Sequence, residues 1–115
     1  GGQLAIADKA LRNRQWVQAE EAYLAIVKEL GPSNGIVLNN LAFAQDKLGK
    51  SQEALKHALA AAKLEPANAA ILDTAGVLLA ANGKREQGIA MLRKAASLAP
   101  GNAAIKRHLA DAEAT

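Results

Sequence analysis

The side chains that could perform catalysis or bind a metal are few in this sequence and far apart. Its two histidines, His57 and His108, lie in different segments and lack the short spacing that places two metal ligands on one helix face. No serine or threonine has a histidine and an aspartate in a triad arrangement, and the glycines do not form a phosphate-binding motif. The absence of cysteine excludes thiol chemistry. The sequence therefore predicts a chain that is not an enzyme and has no metal or cofactor.

The remaining titratable candidates have structural interpretations. Glu20 and Glu21 are adjacent near the start of a predicted helix, where carboxylates interact favourably with the helix dipole, and this role accounts for both. We interpret His57 as a surface or half-buried residue of a second helix, and we place His108 near the inner side of the last helix.

The elements that hold these residues come from an internal repeat. Residues 35–68, moved forward by 34 positions, align with residues 69–102. The aligned pairs are Gly49 with Gly83, Lys50 with Lys84, Leu64 with Leu98, Pro66 with Pro100 and Asn68 with Asn102. A fixed period of this size is typical of a supersecondary unit that buries its apolar face only by stacking on copies of itself. The sequence therefore predicts a repeat array.

Each unit of the array predicts two helices joined by a turn. Asn34 precedes the apolar pattern of the second unit as an N-cap, and Asn68 and Asn102 occupy the same place in the units that follow. Gly49 suits the left-handed turn that ends the first helix of the unit, and Pro66 prevents the second helix from continuing.

These units resemble the tetratricopeptide repeat (TPR). The residues that carry the resemblance are Leu41, Ala42, Gly49, Ala54, Ala61 and Pro66 in one unit, and Ala75, Gly76, Gly83, Gly88, Ala95 and Pro100 in the next. The resemblance implies an all-α fold, a right-handed superhelix of antiparallel helix pairs. The implied organisation is a single TPR domain over residues 1–115, with repeats at about 1–34, 35–68 and 69–102 and a further helix over 103–115. A side chain larger than alanine at Ala42, Ala54, Gly76 or Gly88 would separate the paired helices.

The two ends of the chain differ from the central units. In the degenerate first unit, the predicted apolar faces are Ile6, Ala7, Ala10 and Leu11, then Trp16, Ala19, Tyr23 and Ile26. By the resemblance, Trp16 and Tyr23 wedge this unit from within and do not hold a ligand. The last helix, 103 to about 114, either caps the array or begins a repeat that is cut off, and its charged outer face favours the cap. We expect the chain to be a fragment of a longer protein.

In TPR arrays the first helix of each pair lines a concave groove, which binds a protein or peptide partner. By register, the groove residues here are Leu4, Asp8, Leu11 and Arg12; Ile36, Asn39, Phe43, Asp46 and Lys47; Asp73, Val77, Ala80 and Ala81; and Arg107 and Asp111. We expect a peptide with small apolar anchors around Phe43 and Val77, lying close above Ala80 and Ala81. In the alternative interpretation, Phe43 and Val77 only complete the packing between neighbouring repeats.

Charge excludes some classes of ligand. The formal charge of +3 is modest and the basic residues are dispersed, so nucleic-acid binding is not expected. Chaperone-binding members of the family hold a terminal carboxylate with two lysines, two asparagines and an arginine. Only Asn40 matches this set, because Leu4, Asp8, Ala70 and Thr74 stand at the other places. The sequence therefore predicts no carboxylate clamp.

Three passages, at residues 37–43, 66–79 and 90–110, are similar to the repeats of bacterial envelope TPR lipoproteins associated with exopolysaccharide production and PEP-CTERM/exosortase sorting. This narrower resemblance implies a bacterial source and favours the periplasm or cell envelope over the cytoplasm. No stretch is long and apolar enough for direct membrane insertion. Two further interpretations stay open: a spacer segment of a longer TPR array, and a module that self-associates through its ends. The sequence leaves the oligomeric state open.

Overall fold

The computed structural model describes residues 2–114, which form seven α-helices and no β-strand. The helices are α1 (Gly2–Arg12), α2 (Trp16–Leu30), α3 (Gly35–Lys47), α4 (Ser51–Leu64), α5 (Ala69–Ala81), α6 (Arg85–Leu98) and α7 (Ala103–Ala114). The predicted all-α class is confirmed.

The helices form three successive pairs, α1–α2, α3–α4 and α5–α6, followed by α7. Packing is most extensive within each pair, and the second helix of a pair also packs on the first helix of the next. In addition, α3 contacts α5 and α5 contacts α7. The first helices of the pairs therefore lie in one layer and the second helices in another. This superhelical stack measures 40 × 25 × 23 Å.

Asparagine caps begin the helices where the sequence predicted. The side-chain oxygen of Asn34 accepts hydrogen bonds from the backbone N–H groups of Ile36 and Val37 at 3.0 and 3.1 Å. In the same way, Asn68 accepts from Ile71 at 3.2 Å and Asn102 accepts from Ile105 at 3.0 Å. Gly49 and Gly83 follow α3 and α5 with φ of 79° and 82°, a conformation in which a side chain is strained. The repeat of these local signals sets the repeat of the helix pairs.

The α5–α6 pair crosses at two glycines. A Cβ atom on Gly88 would lie 2.6 Å from the carbonyl oxygen of Gly76 and 2.9 Å from the backbone nitrogen of Ala80. At the matching places in the α3–α4 pair are Ala42 and Ala54, and both are fully buried. The limit on side-chain size at Gly88 is therefore stricter than the sequence predicted, because even the methyl group of alanine does not fit against these backbone atoms.

The first helix pair is held by Tyr23, which is fully buried as predicted. Its hydroxyl donates a hydrogen bond to Asp8 and accepts one from the amide of Asn40 at 3.3 Å, so it ties α2 to both α1 and α3. Burial, together with the hydrogen bond to Asp8, raises the pKa of Tyr23. Trp16 is only half-buried, and Ile6 is 66% exposed, so the prediction that Ile6 belongs to the buried face is wrong.

A buried polar network joins the first and second helix pairs. Glu20 is 5% exposed, and its carboxylate accepts hydrogen bonds from Lys50 at 2.8 and 3.0 Å and from the amide of Gln45 at 3.2 Å. The amide oxygen of Gln45, itself 1% exposed, lies 2.7 Å from Nδ1 of His57. The network therefore links α2, α3, α4 and the turn between the last two.

This network corrects the interpretation of Glu20 as a residue that interacts with the helix dipole. Glu20 lies beyond the first turn of α2 and makes its contacts with other helices, whereas Glu21 is exposed. Burial raises the pKa of Glu20, but the hydrogen bonds from Lys50 and Gln45 outweigh it and leave the pKa below its ordinary value. Burial also lowers the pKa of His57, which is half-buried as predicted.

The last helix, α7, covers the end of the stack. Its own residues Ile105 and Ala112 are buried against the stack. The guanidinium of Arg85, at the start of α6, donates to the carbonyl oxygens of Ala112 at 2.9 Å and Glu113 at 2.8 Å, and Arg93 forms an ion pair with the Glu113 carboxylate at 2.8 Å. Side chains of α6 thus satisfy carbonyl groups that an α-helix leaves without a partner at its C-terminus.

Candidate functional site: the groove

The residues predicted to line the groove all lie on the layer of first helices, α1, α3, α5 and α7, and none is in the buried core. The exposed ones are Leu4, Arg12, Ile36, Phe43, Asp46, Lys47, Ala81, Arg107 and Asp111, and the half-buried ones are Asp8, Leu11, Asn39, Asp73, Val77 and Ala80. We call the surface formed by these residues the groove. That they contact a ligand stays a prediction.

An aromatic pair with a lysine lies at one edge of the groove. Phe43 is 42% exposed, and its ring packs edge-on against the ring of Trp16 with 5.7 Å between centroids. The ammonium of Lys47 lies 5.3 Å from the Phe43 centroid and 6.0 Å from the Trp16 centroid, within the range of cation–π attraction. We call these three residues the aromatic platform.

The sequence placed Phe43 in the groove but did not predict its support. Trp16 was expected inside the first helix pair. It is instead the first residue of α2, and its ring contacts Phe43 on α3, in the next pair. Its place directly after the turn was a usable signal, because a helix end borders the surface. Phe43 thus packs on the preceding repeat through Trp16 and is 42% exposed, so both the ligand-binding and the packing interpretation of Phe43 stay open.

Two polar side chains near the centre of the groove differ in their partners. Asn40 donates to Tyr23, so its amide is engaged within the protein. The neighbouring Asn39 has a buried Oδ1 atom with no hydrogen-bond partner within residues 2–114. A buried acceptor without a donor costs roughly 1–3 kcal/mol, so this atom lowers the local stability of α3.

At the other end of the groove, an open crevice of about 270 Å³ lies between α5 and α7, with α6 beneath it. Its lining residues are Val77, Ala80, Ala81, Leu92, His108, Asp111 and Ala112. Beside it, Nδ1 of His108 lies 2.8 Å from a carboxylate oxygen of Asp73, so His108 joins α7 to α5, a contact that the sequence did not predict. We call this cavity the α5–α7 crevice.

The described part of the chain also bears on metal binding and on membrane insertion. Within residues 2–114, no three His, Asp or Glu side chains are grouped as a metal site would require. None of the helices in that range combines the length and the apolarity needed to cross a bilayer. The exposed features of the groove are thus an aromatic platform, a polar centre and a crevice.

Several of the solved structures similar to this one are TPR domains. The TPR domain of Arabidopsis OM64 superposes with a TM-score of 0.88 at 21% identity, over 97% of this chain and 92% of that one. The second TPR domain of human RPAP3, solved in complex with an HSP70 peptide, gives a TM-score of 0.85 at 20% identity, over 96% and 92%.

A bacterial structure is also similar. A mutant O-GlcNAc transferase of Thermobaculum terrenum gives a TM-score of 0.88 at 26% identity over 96% of this chain, which spans only 21% of that protein. No protein-family sequence model and no curated protein matches the chain. None of these comparisons supports the narrower resemblance to envelope lipoproteins of the PEP-CTERM/exosortase group.

Proposed function

Because the chain has the fold of tetratricopeptide-repeat domains, we propose that it is a non-catalytic protein-interaction module that binds an extended peptide segment in the groove. The observation that carries this proposal is the aromatic platform. A large ring that is 42% exposed, yet fixed by Trp16 and Lys47, presents apolar area at little further cost in conformational entropy. A domain with the same fold, the second TPR domain of human RPAP3, is solved in complex with a peptide, which supports peptide binding as a use of this fold.

The rest of the groove favours an extended ligand. The predicted groove residues are spread over α1, α3, α5 and α7, and an extended peptide can contact several of these helices at once. Ala80 and Ala81 have small side chains, which let a ligand backbone approach α5 closely. An apolar side chain of the peptide over Phe43 would fix the position of the peptide in the groove.

We do not propose the chaperone C-terminal peptides as ligands. Of the residues that would grip their terminal carboxylate, only Asn40 is present, and its amide already donates to Tyr23. Asp8 and Leu4 stand where an asparagine and a lysine would be needed. A negatively charged peptide end therefore has no basic pair to bind at that place.

The cellular setting that we propose is the bacterial cell envelope, in exopolysaccharide or protein-sorting machinery. Only the similarity of residues 37–43, 66–79 and 90–110 to envelope TPR lipoproteins supports it. A lipoprotein signal in the full reading frame, with polysaccharide-export genes beside it, would favour this setting. A reading frame with neither would argue against it.

Replacing Phe43 with serine tests the proposed function. Peptides selected from a random library on the wild-type protein should bind the variant at least about tenfold more weakly, because the main apolar anchor is lost. The free energy of unfolding should change by less than about 1 kcal/mol, since the ring is exposed on one side. Binding is measured by fluorescence anisotropy and stability by urea denaturation.

Leu24→Ser is the matched control, because Leu24 is 40% exposed but lies on α2, in the other layer. It should leave peptide binding unchanged. Unchanged binding by the Phe43 variant together with lost stability would support the packing interpretation of Phe43. A library that yields no binder to the wild-type protein would favour the spacer interpretation.

A further inference from the structure

We infer that a pocket at the start of α1 binds a leucine-like aliphatic side chain of the peptide held in the groove. This inference rests on the proposed function and specifies one side chain of the ligand. The pocket lies between the N-terminal ends of α1 and α3 and the C-terminal end of α2, and its volume is about 390 Å³. We call it the α1 pocket.

The α1 pocket is apolar from its floor to its opening. Ile26 and Val37 line it and are buried, at 7% and 4% exposure, whereas Leu4 and Leu30 line it and are 37% and 71% exposed. Its polar side chains are all exposed at the rim, and they are those of Gln3, Ser33 and Asn34. Among the described residues that line it, none is charged. A charged ligand group would therefore find no counter-charge, whereas an apolar side chain would be removed from water.

The repeat gives each residue of the pocket a counterpart in the second unit. The turn after α1 fixes the alignment: Arg14, with a φ of 58°, stands where Gly49 has a φ of 79°, so the two units match at a separation of 35 positions. By this separation, Gln3 in the α1 pocket corresponds to Leu38 in α3.

A leucine fills the corresponding place in the other units. Leu38 is 1% exposed, and Leu72, at the same place in the third unit, is 3% exposed. Leu38 shares one buried cluster with the counterparts of three pocket residues, namely Ala61, Ala62 and Ile71 for Ile26, Val27 and Val37. In the first unit, the exposed Gln3 leaves this place open. The chain itself thus shows which kind of side chain the α1 pocket accepts.

The α1 pocket is continuous with the groove, so the groove ligand is the occupant that we propose. Leu4 lines the pocket and is also one of the predicted groove residues. Val37 in the pocket and Phe43 in the aromatic platform are six residues apart on α3. At a rise of 1.5 Å per residue this is roughly 9 Å, which an extended chain spans in about three residues. We expect the aliphatic residue at that distance from the residue that packs on Phe43.

The test uses the peptides selected on the wild-type protein, each resynthesised with leucine or serine at every position in turn. At one position, about three residues from the one whose contribution is lost in Phe43→Ser, leucine should bind about tenfold more tightly than serine. In Leu30→Ser this preference should fall to about threefold or less, because one apolar side of the pocket is removed. Leu24→Ser, the same change at an exposed residue of α2 outside the pocket, should leave the preference unchanged.

A second variant, Gln3→Leu, gives the first unit the leucine that the other units have. Its side chain should fill the pocket and abolish the leucine preference of the peptide. It should also raise the midpoint of thermal unfolding by about 3 °C or more, because apolar surface is buried. Gln18→Leu, which adds the same side chain at an exposed position of α2, should change neither the preference nor the midpoint.

Peptides that depend on Phe43 but have no leucine position sensitive to both pocket variants would overturn this inference and leave the proposed function intact. An unchanged unfolding midpoint in Gln3→Leu would also overturn it, because the pocket would then not be the place that a leucine fills. Peptide binding that does not depend on Phe43 would instead count against the proposed function, on which this inference rests.

Discussion

Replacing Gly88 with leucine is expected to destabilise the protein by at least about 4 kcal/mol, and so to unfold much of it at room temperature. The Cβ atom alone would lie 2.6 Å from the carbonyl oxygen of Gly76 and 2.9 Å from the backbone nitrogen of Ala80. Both are backbone atoms of α5, which move only if the whole helix moves. The α5–α6 pair would therefore have to separate, with loss of the contacts of Leu92.

The alanine variant gives a graded form of this prediction. In an open helix, Gly88→Ala would stabilise by about 1 kcal/mol through helix propensity. Here we expect a net loss of about 1–2 kcal/mol, because overpacking of a closed interface outweighs that gain. The free energy of unfolding is measured by urea denaturation followed by circular dichroism.

Gly101 provides the matched control. A Cβ atom there would meet nothing within 4 Å, so Gly101→Leu should change stability by less than about 0.5 kcal/mol. If Gly88→Ala were as stable as the wild type, the close crossing of α5 and α6 would be contradicted. The stack of helix pairs would then need another source of stability.

Replacing Glu20 with alanine should cost about 2–3 kcal/mol at neutral pH. The change leaves the amide of Gln45, a residue only 1% exposed, without its carboxylate acceptor. The loss is expected below the values seen for fully buried ion pairs, because the Lys50 side chain is 43% exposed and can be solvated by water. Glu21→Ala, a change to the exposed neighbour, should cost less than about 0.5 kcal/mol.

The cost of Glu20→Ala should depend on pH. Since the folded state lowers the pKa of Glu20, the unfolded state binds this proton more readily. The stabilisation is therefore fully present above the unfolded carboxyl pKa of about 4.3 and is lost as the pH falls through the lower folded-state value. The difference between wild type and variant should be constant near neutral pH and decrease below about pH 4. A difference that grows in acid would contradict the network.

The helix pairs were predictable because their signals are local and occur in repeated units. An asparagine before an apolar run, a glycine after it and a proline after the second helix act within a few residues, and the 34-residue period shows each signal more than once. The helix starts after Asn34, Asn68 and Asn102 follow directly from these signals.

The errors fall in the first unit, where the period is irregular. Glu20 was taken for a helix-end carboxylate because its partners, Gln45 and Lys50, belong to the next unit and cannot be paired with it from spacing alone. Ile6 was placed in the core by helical periodicity, but it lies on a face of α1 that no helix in the described chain covers. Contacts between units, unlike helix caps, cannot be predicted without the angle at which successive units stack.

In the groove, too, positions within a unit were predictable and contacts between units were not. Register placed its predicted residues on the layer of first helices, because positions within a repeat map onto the same face each time. It did not reveal that Trp16 supports Phe43, or that His108 holds Asp73 next to a crevice. Both pairs join residues of different units, and both decide which chemistry the surface offers.

The most direct test of peptide binding in the groove is an NMR map of the surface that a peptide contacts. The uniformly 15N-labelled protein is titrated with a peptide selected on the wild type, and the backbone amide shifts are followed. If the peptide binds in the groove, the largest changes fall on α3, α5 and α7, around Phe43, Val77 and His108. Changes confined to α2, α4 and α6, around residues such as Leu24 and Lys56, would contradict binding in the groove.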